Sequence, residues 1–135
     1  MVDINELLKP PKTIAVVGLS DKPERPSNQV AKYLMDLGLL IIPVNPNIES
    51  VFGLKSYKNL SEIPKDFNID IVDIFRKESE VLQIVQEIIN TGQKPVVWLQ
   101  EGFFSVEAKE LAKQHNLEIV EGMCLMKAYE RKMAI

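Results

Sequence analysis

The chain has 135 residues, 46% hydrophobic and 26% charged, with a net charge of −3 and no run of like charges. That length suits one domain with a real core, and the composition excludes a disordered chain. The absence of a basic patch excludes the electrostatic footprint of a nucleic-acid binder, and one cysteine with one histidine excludes an internal disulfide or a Cys/His zinc site within one chain.

The opening "MVDINELLKPPK" lacks the basic start and long apolar core of a secretory signal. No stretch approaches the roughly 18 uninterrupted apolar residues of a membrane span. With a lone thiol, Cys124, which fits a reducing compartment, this predicts a cytoplasmic protein with no membrane partner. Residues 3–8 predict a short helix started by Asp3 and stopped before Pro10-Pro11, with 1–12 as a flap against a single domain over 1–135.

"TIAVV" (13–17) has the continuous apolar character of a central parallel strand covered on both faces. In "SNQVAKYLMDLG", Val30, Leu34 and Leu37 fall at helical spacing, with Ser27 as the expected N-cap and Gly38 as the stop. "LLIIPV" (39–44) predicts a second strand, which Pro43 should shorten or leave unpaired at that amide. A connection through Gly53 follows, with a short strand expected near Lys55–Tyr57 and a single capped helical turn at "SEIP".

"IDIVDIF" (69–75) predicts a further strand and "SEVLQIVQEIINTG" a helix whose apolar face is Val81, Leu82, Val85, Ile88 and Ile89, stopped at Gly92. "PVVWL" (95–99) predicts another buried strand, in which Trp98 reads as packing. Ser105 caps "VEAKELAKQHN", and "LEIV" (117–120) is the last strand. This alternation predicts an α/β fold, a single Rossmann-like, doubly wound, mostly parallel sheet with helices on both faces. In such folds ligands sit at the carboxyl ends of the strands, where the strand order reverses.

Those ends carry "GLSDKPERPS", "NPN", "FRK" and "QEGF". Gly18 allows a tight turn, Ser20 and Ser27 can donate to phosphate oxygens, and amides at the start of the following helix favour an anion. Lys22 and Arg25 would add full charges, while Phe75 could cover a flat base as Arg76 reaches phosphate. Each feature has a bland counterpart: a glycine after a first strand is common, loop cations are often only solvated, and Phe75 could be core. Their coincidence at one edge points to a phosphorylated, partly flat ligand. A dinucleotide fingerprint fits poorly, because Leu19, Ser20 and Asp21 follow Gly18 in place of G-x-G-x-x-G, and the second strand ends in "PVNPN" rather than an acidic residue.

Together "VVGLSDKPERPSNQVAKYL", "IIPVNPN", "GLKSYKNLSEIP", "DIVDIFRK", "VWLQEG" and Cys124 resemble the stand-alone CoA-binding domain proteins, related to the first domain of the succinyl-CoA synthetase α subunit, from about Thr13 to Leu125. The resemblance implies a Rossmann-like fold that binds coenzyme A or an acyl-CoA. By position it implies a phosphate loop of Gly18, Ser20, Asp21, Lys22 and Pro23 with Arg25. It also implies a segment after the second strand containing Val44, Asn45 and Pro46. Phe75, Arg76 and Lys77 would flank the nucleotide, and Leu99, Gln100 and Glu101 would lie nearer the pantetheine arm. Ser27 joins this set as a hydroxyl donor.

The larger synthetases carry their catalytic histidine in a second domain, and His115 falls at the polar end of a predicted surface helix, so ligase activity is not carried over. Asp73 lies inside a strand, Asp21 and Glu101 would face a polyanion, and no Ser-His-Asp or Cys-His set is available. The expectation is a non-catalytic module that stores, senses or presents CoA or acyl-CoA. The alternatives are a small nucleotide-dependent oxidoreductase, an acyl-CoA-handling subunit needing a partner, or an interaction domain with a degenerate site. Cys124 is expected to be a core thiol, the sharper alternative being a mixed disulfide with the CoA thiol. The segment "CLMKAYERKMAI" could form a homodimer or pack on its own sheet.

Overall fold

The apolar run Thr13–Val17 forms β1, which lies inside a five-stranded parallel sheet in the computed structural model, where residues 3–10 and 12–133 are described. Its neighbours are β2 (Leu40–Val44) on one side and β5 (Ile71–Ile74) on the other, with β6 (Val96–Leu99) and β7 (Ile119–Val120) beyond. Register pairs Val17 with Val44 and with Ile74, so three strands end level with one another. Isoleucine and valine dominate these strands because β-branched side chains fill a pleated surface covered on both faces.

Side-chain alternation along each strand feeds two cores. On one face Ile14, Val16, Ile41, Ile71 and Trp98 pack with α2 (Pro26–Asp36) through Val30, Ala31 and Leu34, and with α5 (Leu125–Met133) through Leu125, Ala128 and Tyr129. On the other, Ala15, Ile42, Val72, Ile74 and Val97 meet Val81, Val85 and Ile88 of α3 (Glu78–Thr91) and Ala108 and Ala112 of α4 (Val106–Gln114). The fold is therefore doubly wound and Rossmann-like. Trp98 is fully buried, its indole Nε1 donating to the Met123 carbonyl at 2.7 Å. The C-terminal helix packs on its own sheet. Of the expected flap, Ile4–Leu7 forms α1 with Asp3 as N-cap, and Leu8 is completely buried; Met1, Val2 and Pro11 lie outside the described residues.

Local readings need correction at Pro43 and Ser27 and adjustment near Lys55. Pro43 does not shorten β2: its carbonyl accepts from the Tyr57 amide on the outer side, so its nitrogen also faces away from β1, at an edge where no ladder bond is lost. The short strand expected near Lys55–Tyr57 begins one residue earlier, as β4 (Leu54–Lys55) in a hairpin with β3 (Ser50–Val51) turned at Phe52-Gly53, while Tyr57 makes a single bridge to Val44. Ser27 is not the N-cap of α2. Arg25 holds that position with no side-chain cap, and Pro26 begins the helix, as its preset φ favours.

The chain goes from β1 outward to β2 and then returns to β5 on the other side of β1. The connections after β1 and β5 therefore diverge, opening a crevice over the sheet's carboxyl edge.

Candidate functional site

A cleft of about 960 Å³ opens at that crevice. Its size is at the upper end of small-molecule sites. Gly18 makes the crevice possible, with φ of +86° and its amide bonded to the Val44 carbonyl at 2.8 Å. A Cβ here would meet the Phe75 carbonyl oxygen and stand 2.8 Å from Arg76 Cδ, so the turns after β1 and β5 touch across this position.

Beyond Gly18 the loop is held by side chains. Asn45 Nδ2 donates to the Leu19 carbonyl and Asn28 Nδ2 to the Ser20 carbonyl, both at 2.9 Å. Ser27 Oγ accepts from the Ser20 amide at 3.0 Å, and Ser20 Oγ from the Lys22 amide at 3.1 Å. Each hydroxyl is used here as an acceptor and keeps its own proton to donate. With no side-chain cap on α2, the amides of Ser27 and Asn28 have no acceptor among the described residues. Loop hydroxyls and the uncapped helix end thus supply several donors to one small volume, as an anionic phosphate requires.

Charged side chains line the same cleft. Exposed Lys22, Arg25 and Lys77 line it and make no ion pair among the described residues. Arg76 differs, because its guanidinium grips Glu80 through Nη2 at 2.8 Å and Nε at 3.1 Å. That hydrogen bond holds the Glu80 carboxyl below the usual range. Much of the Arg76 charge is thereby matched within the protein. Glu101 pairs outward with Lys127 at 3.0 Å, which reduces its repulsion of an anion.

The lining also has apolar and uncharged members. Val30, Ile48, half-buried Phe75, Phe103 and Cys124 line it, with Gln100 among them. Cys124 is half-buried, packed against the core that α2 and α5 cover and also lining the cleft.

Of the sequence candidates, Gly18, Ser20, Asp21, Lys22, Arg25, Ser27, Asn45, Phe75, Arg76, Lys77, Gln100 and Glu101 border this one space. Pro23 sits in the exposed loop outside the lining, and Leu99 is core, its side chain among the residues facing α3 and α4. Val44 and Pro46 border a separate polar recess of about 470 Å³ that runs along α3 and shares Gly18, Arg76 and Glu80 with the cleft. Asn28, Asn47, Val30, Ile48, Phe103 and Glu80 escaped the sequence reading. For Asn28 a signal existed: asparagine is a poor helix residue, and a buried one in a first turn needs a specific partner.

The fold, the donor-rich loop and the half-apolar cleft thus stand together at one edge of the sheet. The family described as CoA binding domain matches residues 12–130. The chain belongs to the CoA-binding domain family. Over 127 residues this CoA-binding domain is 39% identical to the uncharacterized protein YneT of Bacillus subtilis (strain 168), covering 94% of this chain and 92% of that one. It is 30% identical over 122 residues to an ADP-forming acetate–CoA ligase of Methanocaldococcus jannaschii, covering 85% of this chain but only 17% of the ligase. Among solved structures, a hypothetical protein from Pyrococcus horikoshii OT3 superposes with a TM-score of 0.89 at 41% identity, covering 96% of this chain and 89% of that one. A dinucleotide forming acetyl-coenzyme A synthetase of Ca. Korarchaeum cryptofilum gives 0.69 at 26% identity, covering 87% of this chain and 27% of the synthetase.

Proposed function

We propose that the protein binds coenzyme A or an acyl-CoA in this cleft, as a single-domain module that senses, stores or presents the ligand without transforming it. The observation that carries the reading is the meeting, at the strand-order reversal, of an uncapped helix start with free serine protons and three unpaired cations. CoA needs such an end for its phosphates and a longer, milder groove for its pantetheine arm. The latter matches the stretch lined by Val30, Ile48, Phe103, Gln100 and Cys124. Gly18, Ser20, Lys22, Arg25 and Ser27 take the phosphates, with Asp21 in the same loop, Phe75 to Lys77 flank the nucleotide, and Gln100 and Glu101 lie along the arm.

A non-transforming role is supported by the chemistry present. His115 is exposed at the end of α4 and does not line the cleft. A second reading, an acyl-CoA-handling subunit that works with a partner, is favoured by the ligase relatives, of which this chain spans a small part. Exposed Phe104 and Val106, just beyond the cleft-lining Phe103, suit such a contact. No helix among the described residues is long and apolar enough to cross a membrane.

Isothermal titration with CoA, acetyl-CoA, NAD and ATP side by side tests the reading. The expected result is saturable binding of CoA or acetyl-CoA at least tenfold tighter than of NAD. Preference for NAD would overturn it in favour of redox chemistry.

A further inference from the structure

Beneath the cleft lies a carboxyl group that the binding reading does not use. Asp73 is completely buried in β5, at the centre of the sheet, with Val16 beside it on β1 and Trp98 beside it on β6. Its Oδ1 accepts from Gln100 Nε2, and its Oδ2 has no partner. No cation among the described residues compensates it, and burial pushes its carboxyl well above the usual range. A buried acid of this kind is costly, and packing alone would be served better by leucine or valine.

What Asp73 does hold is one side chain that reaches the ligand space. Gln100 follows the end of β6, is only 6% exposed, and lines the cleft. Its Nε2 is committed downward to Asp73, while its Oε1 bonds no described residue and is not sealed from solvent. A glutamine free to rotate would offer donor and acceptor alternately. One held by its nitrogen offers the acceptor alone.

We propose that Asp73 is a positioning residue for the cleft, gripping the Gln100 carboxamide by Nε2 so that Oε1 is presented as a fixed acceptor to an amide N–H of a pantetheine arm. The inference rests on the CoA reading and goes beyond it, since Asp73 touches no ligand. It gives the site a polar specificity element separate from the phosphate donors. Adenosine 3′,5′-bisphosphate, which has the phosphates but no arm, gains nothing from it.

The test uses that difference. Affinities for CoA and for adenosine 3′,5′-bisphosphate are measured by titration on the wild type, Asp73→Asn, Asp73→Leu, Gln100→Leu and the double Leu variant. Asparagine can still accept from Gln100, so Asp73→Asn stays within about twofold for both ligands. Asp73→Leu weakens CoA about tenfold, the scale of one lost hydrogen bond, and leaves the bisphosphate unchanged. The double variant binds CoA no more weakly than Gln100→Leu, because the two residues act as one unit.

Equal losses for both ligands, an unchanged CoA affinity in Asp73→Leu, or additive losses would each overturn the proposal. Should Asp73→Leu not fold, the wild type supplies its own check. The Gln100 side-chain amide, assigned by its disappearance in Gln100→Leu, should exchange slowly with solvent, and fast exchange overturns the grip on Nε2. A wild type that binds the bisphosphate but not CoA would sink the ligand assignment itself, a failure distinct from a defect confined to the variants.

Discussion

Gly18 shows how one missing side chain shapes the site. It shares a φ of +86° with Gly38, but around Gly38 an added Cβ would meet nothing within 4 Å, whereas at Gly18 it would strike the Phe75 carbonyl and Arg76. A left-handed backbone costs an alanine about 1–2 kcal/mol at either position. Only Gly18→Ala must also force β1 and β5 apart at their carboxyl ends. In urea denaturation, Gly18→Ala should therefore lose clearly more stability than Gly38→Ala. It should also weaken CoA at least tenfold, while Gly38→Ala leaves affinity unchanged. Equal losses in the two variants would mean that the close approach at Gly18 is easily relieved.

At the scale of elements, the site depends on how α2 begins. A capping side chain would satisfy its first amides; Arg25, in the N-cap position, leaves them open and projects charge beside them. Arg25→Glu should reverse the local field and weaken CoA more than tenfold at low ionic strength, with a smaller loss at high salt, where exposed charges are screened. Titration at two salt concentrations reads both effects, and unchanged affinity would remove Arg25 from the site. The same helix marks a limit of sequence reading. The strands were legible because apolar runs such as "TIAVV" and "IDIVDIF" need cover on both faces, and their alternation with amphipathic helices implied the parallel sheet and the edge that bears the loops. Serine's capping preference drew the helix start to Ser27, although Pro26 signalled the earlier start, and the two-residue strands of the β3–β4 hairpin are too short to leave a period. That Asp73 meets Gln100 follows from the β5–β6 register, that is, from pairing between segments distant in the chain, which no local pattern encodes.

For the whole molecule, an acid whose titration burial pushes upward makes stability depend on pH in a definite sense. The unfolded chain releases the Asp73 proton near the ordinary aspartate value of about 4, while burial makes the folded protein retain it to higher pH. Below about pH 4 both states are protonated, and the residue's contribution is fully present. Above that, the unfolded state binds fewer protons than the folded one, so stability falls with rising pH, by up to about 1.4 kcal/mol per pH unit, until the folded-state value is passed. This runs opposite to a salt-bridged carboxylate, whose support is lost as pH falls. Asp73→Asn removes the titration but keeps an acceptor for Gln100, so its stability relative to wild type should improve as pH rises above about 4. Urea midpoints of the two proteins across that range measure the difference directly, with every other carboxylate common to both. Parallel profiles would mean that Asp73 titrates alike in the folded and unfolded chain, and that the sheet stabilises its charge through a group the fold supplies.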